Sequence, residues 1–129
     1  MEFFGYRKLI AYVRACEVRR YTYRLLKSFP KEEQFALCSQ MRRSAVSVTS
    51  NIAEGMTRYS TKDKVHFLEI SFGSLMELMS QLEVALDENY ISEKDFTNLD
   101  VKLKISRLKS LKSVGRFVIL IYPSLAGFG

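Results

Sequence analysis

The sequence predicts an all-α protein, an up-down-up-down antiparallel four-helix bundle. Three observations lead there. Apolar residues recur at alternating spacings of three and four, which sets them on one stripe of an α-helix. This pattern returns in four segments, and the connections between them, "PKE", "RYSTK" and "ENYIS", are short enough to favour antiparallel neighbours. A chain of 129 residues with 47% hydrophobic and 26% charged residues fits one soluble domain over residues 1–129. No Gly/Ser linker, low-complexity tract or close internal repeat divides it.

The first helix is expected over about residues 5–28, with Ala11, Ala15, Val18, Thr22, Leu25 and Phe29 as its stripe. Leu9, Tyr12, Tyr23 and Leu26 widen that apolar face. It ends near "SFP", because Pro30 drives the residue before it out of helical geometry. The second helix, about 32–57, is the most regular: Cys38, Met41, Ala45, Val48, Ile52 and Gly55. Its "AVSVTSNI" is rich in β-branched residues, yet the apolar spacing through it is helical, and burial of one face overrides the weak propensity cost.

The third helix, about 61–88, carries Val65, Leu68, Phe72, Leu75, Met79, Leu82 and Leu86. The fourth, about 92–121, opens with Ser92 and Asp95 as an N-terminal cap and first-turn charge. It then runs through Leu99, Leu103, Ile105, Leu108 and Leu111 to Phe117, less regularly because Ser106, Ser110, Ser113 and Gly115 interrupt it, and stops before Pro123.

Net charge is +6 and the pI about 9.4, and the charges are segregated. Residues 1–64 hold 13 Lys/Arg against 6 Asp/Glu, residues 65–100 hold 1 against 8, and residues 101–129 hold 6 against none. Such segregation supports attraction between basic and acidic elements, within a subunit or between subunits, and leaves positive surface for a polyanion. Solvated helix faces are the plain alternative. Cys16 and Cys38 form no CxxC pair and fall inside apolar patterns, as buried free thiols do, which points to a reducing, cytoplasmic setting. The apolar run "FVILIYPSLAGF" is broken by Pro123 and too short to span a bilayer, so no membrane role is expected.

The motifs argue against an enzyme. A di-metal bundle site needs Glu-x-x-His on two helices, whereas this chain has one histidine, His66 in "DKVH", near Asp63, Glu54, Glu69 and Glu77. Neither cysteine has an adjacent base, and Gly5, Gly55 and Gly73 are isolated rather than part of a phosphate loop. No metal and no cofactor are expected.

Basic residues carry the stronger signal. Arg7, Arg14, Arg20 and Arg24 on the first helix, and Lys102, Lys104, Arg107, Lys109, Lys112 and Arg116 on the fourth, are the candidate nucleic-acid-binding residues. Lys8, Arg19 and Lys27 add to the first set, against Glu17 alone. First and last helices are neighbours in an up-down bundle, so their outward faces merge into one positive surface. Tyr6, Tyr12, Tyr21 and Tyr23, interleaved among the first-helix cations, either stack on unpaired bases or complete the core or an interface.

The second helix also has a polar strip: Gln40, Arg43, Ser47, Asn51, Glu54 and Arg58. Small Ser44, Ser47, Ser50 and Ala53 beside it permit close approach of another helix, so the strip is expected to be packed. A packed Arg43 needs acceptors and a packed Glu54 needs donors. About 16 Å of axial rise separates them, so partners are expected from other helices or subunits, with Glu69 and Glu77 as candidates for Arg43, Arg58 or Lys62. Gln40, Arg43, Ser47, Asn51, Glu54, Arg58 and Glu77 are thus read as a structural polar seam or interface.

The "FPKEE" junction, the "QMRRSAVSVTSNIAEG" helix, the "RYSTKD" turn and "FLEISFGSLMELMSQL" together resemble the bacterial four-helix bundle family encoded within 23S rRNA intervening sequences. The resemblance extends from "YRKLIAYVRA" to the fourth helix. It implies a homo-oligomer, a pentamer, without a cofactor. The chain also looks like the accessory proteins of diversity-generating retroelements, basic pentameric bundles that bind nucleic acid and a reverse transcriptase. Two features depart from the pattern: "AYVRA" stands where the family carries a "VW" segment, leaving Tyr12 to supply the aromatic bulk, and the tail "YPSLAGFG" has no counterpart. The expected function is a non-enzymatic, oligomeric, basic bundle that binds RNA or other nucleic acid or acts as an adapter. The alternative is a protein-interaction scaffold whose charged faces serve self-assembly and an acidic protein partner.

Overall fold

The structure, a computed structural model, describes residues 5–8 and 10–103. These residues form four α-helices, α1 (Ile10–Leu26), α2 (Leu37–Met56), α3 (Thr61–Asp87) and α4 (Glu93–Leu103), with 3₁₀ turns at Gly5–Lys8 and Lys31–Glu33. No strand occurs among the described residues. Residues 104–121 of the expected fourth helix, and the tail after them, lie outside the described residues.

Two helices start later than the apolar pattern predicts. The first segment opens as a 3₁₀ turn and becomes α-helical at Ile10 rather than residue 5. The second begins at Leu37 rather than 32, for a reason that lies in tertiary contacts. The last carbonyls of α1 have no partner within their own helix, and the Gln34 side-chain amide supplies one, donating to Leu26 O at 3.0 Å and Phe29 O at 3.3 Å. Its Oε1 accepts from Arg42 at 3.2 Å. Gln34 therefore folds back onto α1 instead of continuing into α2, and Ala36 follows in a non-helical conformation. Phe35, in the same bend, is 97% exposed.

The α2–α3 connection is tight. Ser60 caps α3 by accepting from the Asp63 backbone N–H at 3.1 Å, and Asp63 places a negative charge in the first turn. Gly55 lets the helices close up: a Cβ there would stand 3.1 Å from Phe67 Cβ and 3.3 Å from Lys64 O. Farther along, Ser71 Oγ donates to Val48 O at 2.7 Å and Ser47 Oγ meets Ser74 Oγ at 2.7 Å. Partners rise on one helix as they fall on the other, so α2 and α3 run antiparallel.

The α3–α4 connection is capped at both ends. Asn89 takes a left-handed φ of 60°, and the Tyr90 and Asn89 N–H groups donate to Ala85 O at 2.8 Å and Leu86 O at 3.0 Å. That is a Schellman termination with asparagine in the position glycine usually holds. Ser92 and Asp95 then exchange hydrogen bonds, Asp95 N to Ser92 Oγ at 3.0 Å and Ser92 N to Asp95 Oδ2 at 3.3 Å, as the sequence suggested.

The core has two clusters. Val18, Leu26, Phe29, Cys38, Met41, Ala45, Leu78, Met79, Leu82, Ala85, Ile91 and Leu99 bring all four helices together. Ala15, Val48, Ile52, Met56, Leu68 and Leu75 join α1, α2 and α3, with Tyr6, Tyr12 and Phe72 at the margin. The Ser47–Ser74 contact falls where one cluster passes into the other. Each buried Leu or Ile contributes about 1.5–3 kcal/mol relative to exposure. Tyr23, expected on the apolar face of the first helix, is exposed instead, at 37%. Thr22 lies in the stripe, fully buried, and its hydroxyl has no partner among the described residues. Cys16 and Cys38 are buried free thiols, and burial pushes the Cys38 thiol up in pKa, away from the reactive thiolate.

Candidate nucleic-acid interface

An α-helix with apolar residues along one stripe must turn its remaining positions outward. On α1 these include Arg20, Tyr23 and Arg24, all exposed, with half-buried Arg19 beside them. Arg19 and Tyr23, and Arg20 and Arg24, are i,i+4 neighbours. Among the described residues these four line an open depression of about 360 Å³. The Arg24 guanidinium lies over the Tyr21 ring, 5.4 Å from its centroid. Of the other first-helix candidates, Arg7 is exposed on the 3₁₀ turn and Arg14 is half-buried, each engaged by a neighbour.

α1 is tied to α4 by a specific polar junction. Tyr21 donates to Asp95 Oδ1 at 3.1 Å and accepts from Asn98 Nδ2 at 3.2 Å. The Asp95 carboxyl is held below the usual carboxylate range, chiefly by the Ser92 backbone N–H, with the Ser92 and Tyr21 hydroxyls adding to it. The helix leading towards the second basic segment is thereby anchored beside the first. The Lys102 side chain and residues Lys104, Arg107, Lys109, Lys112 and Arg116 lie outside the described residues.

The four interleaved tyrosines separate into different roles. Tyr6 and Tyr12 meet edge to face, 5.1 Å between centroids, and burial raises the Tyr12 hydroxyl pKa, followed by its bond with Cys16. Tyr21 serves the α1–α4 junction. Tyr23 makes no hydrogen bond or ring contact among the described residues. The sequence counts Arg19 among the additional first-helix cations and Tyr23 among four interleaved tyrosines; the structure is what sets these two beside Arg20 and Arg24 in one depression.

The polar strip of α2 is placed differently from expectation. Gln40, Arg43 and Glu54 are exposed on this chain, as is Glu77 on α3, while Ser47, Asn51 and Arg58 are half-buried. The middle of the strip is packed: Asn51 Nδ2 donates to Ser47 O at 2.8 Å and Ser47 Oγ at 3.0 Å, and Ser47 bridges to Ser74. The donor for Glu54 is not on another helix. Arg58, four residues on, reaches back to Glu54 Oε1 at 2.6 Å and lays its guanidinium 4.6 Å from the centre of the Phe67 ring. That spacing lets the two side chains meet without a second element. Nor does Glu77 serve Arg43; it accepts from Gln81 at 3.3 Å within α3. Arg43 faces solvent and requires no packed acceptor.

Among the described residues, no three His, Cys, Asp or Glu side chains converge as a metal-holding group, and exposed His66 makes an edge contact with Phe67. No described helix is long and apolar enough to cross a membrane. The class defined by these features is an all-helical protein with a cationic face on its first helix and exposed acids on its third. The chain belongs to the 23S rRNA-intervening sequence protein family, whose family model matches residues 7–110 and so takes in all four helices. No curated protein matches the chain significantly.

Proposed function

We propose that this chain is a non-enzymatic, cofactor-free RNA-binding or adapter protein of the cytoplasm that works as a homopentamer of up-down-up-down bundles. The observation that carries the reading is the outward cluster of Arg19, Arg20 and Arg24 on a helix anchored beside α4, whose sequence continues into six further cations. Cations on neighbouring helices neutralise successive phosphates, and assembly multiplies a modest attraction per subunit into avidity. The same reading extends to kinship with the retroelement accessory proteins and to a protein partner such as a reverse transcriptase.

The test is RNA binding followed against salt concentration. Affinity is expected to fall steeply as salt rises, and charge reversal at Lys104, Arg107, Lys109 and Lys112 to flatten that dependence. Absence of RNA affinity at low salt would refute the proposal. Native mass spectrometry reads the subunit number directly, and a monomer at micromolar concentration contradicts the assembly.

A second reading, a protein-interaction scaffold, is favoured by the exposed acids Glu69, Glu77 and Asp87 on α3, opposite in sign to the α1 face. Under it, nuclease treatment leaves one dominant co-purifying protein and the untreated protein carries little nucleic acid.

A further inference from the structure

We infer that the depression formed by Arg19, Arg20, Tyr23 and Arg24 is a subsite for single-stranded RNA, with Tyr23 as the platform on which an unpaired base stacks. This rests on the nucleic-acid reading above and narrows it to one strand state and one aromatic residue.

Four tyrosines of this region are candidates on spacing alone, and the structure separates them. Tyr6 and Tyr12 occupy each other, and Tyr21 is committed to Asp95 and Asn98. Tyr23 is exposed and makes no such contact among the described residues. It stands four residues after Arg19 and three after Arg20, and lines the depression together with them and Arg24. Arg20 and Arg24 are about 6 Å apart along the helix axis, one turn, and Arg24 is steadied by the Tyr21 ring. A patch that only neutralised phosphate would need no aromatic group. An exposed ring among cations matches the combination that binds unpaired strands, in which base faces are available for stacking while the backbone is held electrostatically. A duplex hides those faces within its own stack.

The probes are a fluorescent oligouridylate and an RNA hairpin of similar length, bound to the full chain. Wild type is expected to favour the oligouridylate. Tyr23→Ala should weaken oligouridylate binding by about tenfold, leave hairpin binding and the salt slope little changed, and spare the fold because Tyr23 lies outside the core. Tyr23→Phe should retain the preference. The chain has no tryptophan, so Tyr23→Trp introduces a single indole whose emission a stacked base is expected to quench. If Tyr23→Ala binds both RNAs as wild type does while Arg20→Ala/Arg24→Ala binds more weakly, the stacking subsite is wrong and the nucleic-acid reading stands. If wild type binds neither RNA at low salt, both are wrong.

Discussion

The polar strip of α2 and the basic face of α1 look alike in the sequence, each a row of charged or polar residues beside an apolar stripe, yet they are used in different ways. At the centre of α2 the groups are consumed internally: Asn51 donates to Ser47, Ser47 bonds in turn to Ser74, and near the end of the helix Glu54 takes Arg58. On α1 the outward cations line an open depression. Charge on a helix face therefore does not separate residues consumed within the fold from residues left facing outward. What separates them is whether a small partner stands opposite, as Ser74 does for Ser47.

The largest effect that sharpens this contrast lies on the buried side of α2. Ile52 is 1% exposed, and Ile52→Ala should cost roughly 2–5 kcal/mol in urea unfolding without altering RNA affinity of the folded fraction. In the polar strip, Ser47→Ala removes the bridge to Ser74 and one acceptor of Asn51, an expected loss of about 1 kcal/mol. If Ser47→Ala is neutral in thermal unfolding while Arg43→Ala is not, the assignment of the packed and exposed parts of the strip is reversed.

A change of opposite sign is expected inside α1. Thr22→Val replaces a buried hydroxyl that has no partner among the described residues by a methyl of similar size, and should stabilise the chain by about 1 kcal/mol, read as a higher melting temperature. The smallest effect concerns pH. The folded Asp95 pKa lies below the unfolded value of about 3.9, so its contribution to stability is complete above that value and is lost as pH falls through the folded one. Urea midpoints between neutral and acid pH should therefore decline less for Asp95→Asn than for wild type. The α1–α4 junction through Tyr21 is the contact weakened.

Much of this was legible because burial imposes a period. The apolar spacing marked both ends of α3 and the C-terminal end of α2, and Ser92 with Asp95 announced the start of α4. The late start of α2 was hidden, since "PKEEQF" reads as a helix opening until Gln34 is seen to be used on carbonyls five and eight residues back. The left-handed Asn89 was also missed; asparagine tolerates that conformation but does not require it. For the candidate site, the sequence names Arg20 and Arg24, which the structure exposes, but leaves Tyr23 open, because that residue fits an apolar face and a cationic face equally well. The polar strip reads as packed throughout because the small serines around it suggest a neighbour along its whole length, whereas α3 engages Ser47 through Ser74 and Arg58 through Phe67 and leaves Gln40, Arg43 and Glu54 exposed.

The central claim is that the α1 cations, rather than the arginines of α2, draw the phosphate backbone. Two charge-matched pairs test it most directly: Arg20→Ala/Arg24→Ala and Arg42→Ala/Arg43→Ala, each confirmed as folded, with RNA affinity measured across a salt series. The account predicts that the α1 pair lowers the salt slope by about 1.4, close to 0.7 for each lost phosphate contact on a single strand, while the α2 pair leaves it near the wild-type value. An equal or larger decrease for the α2 pair, with the α1 pair unchanged, would contradict it.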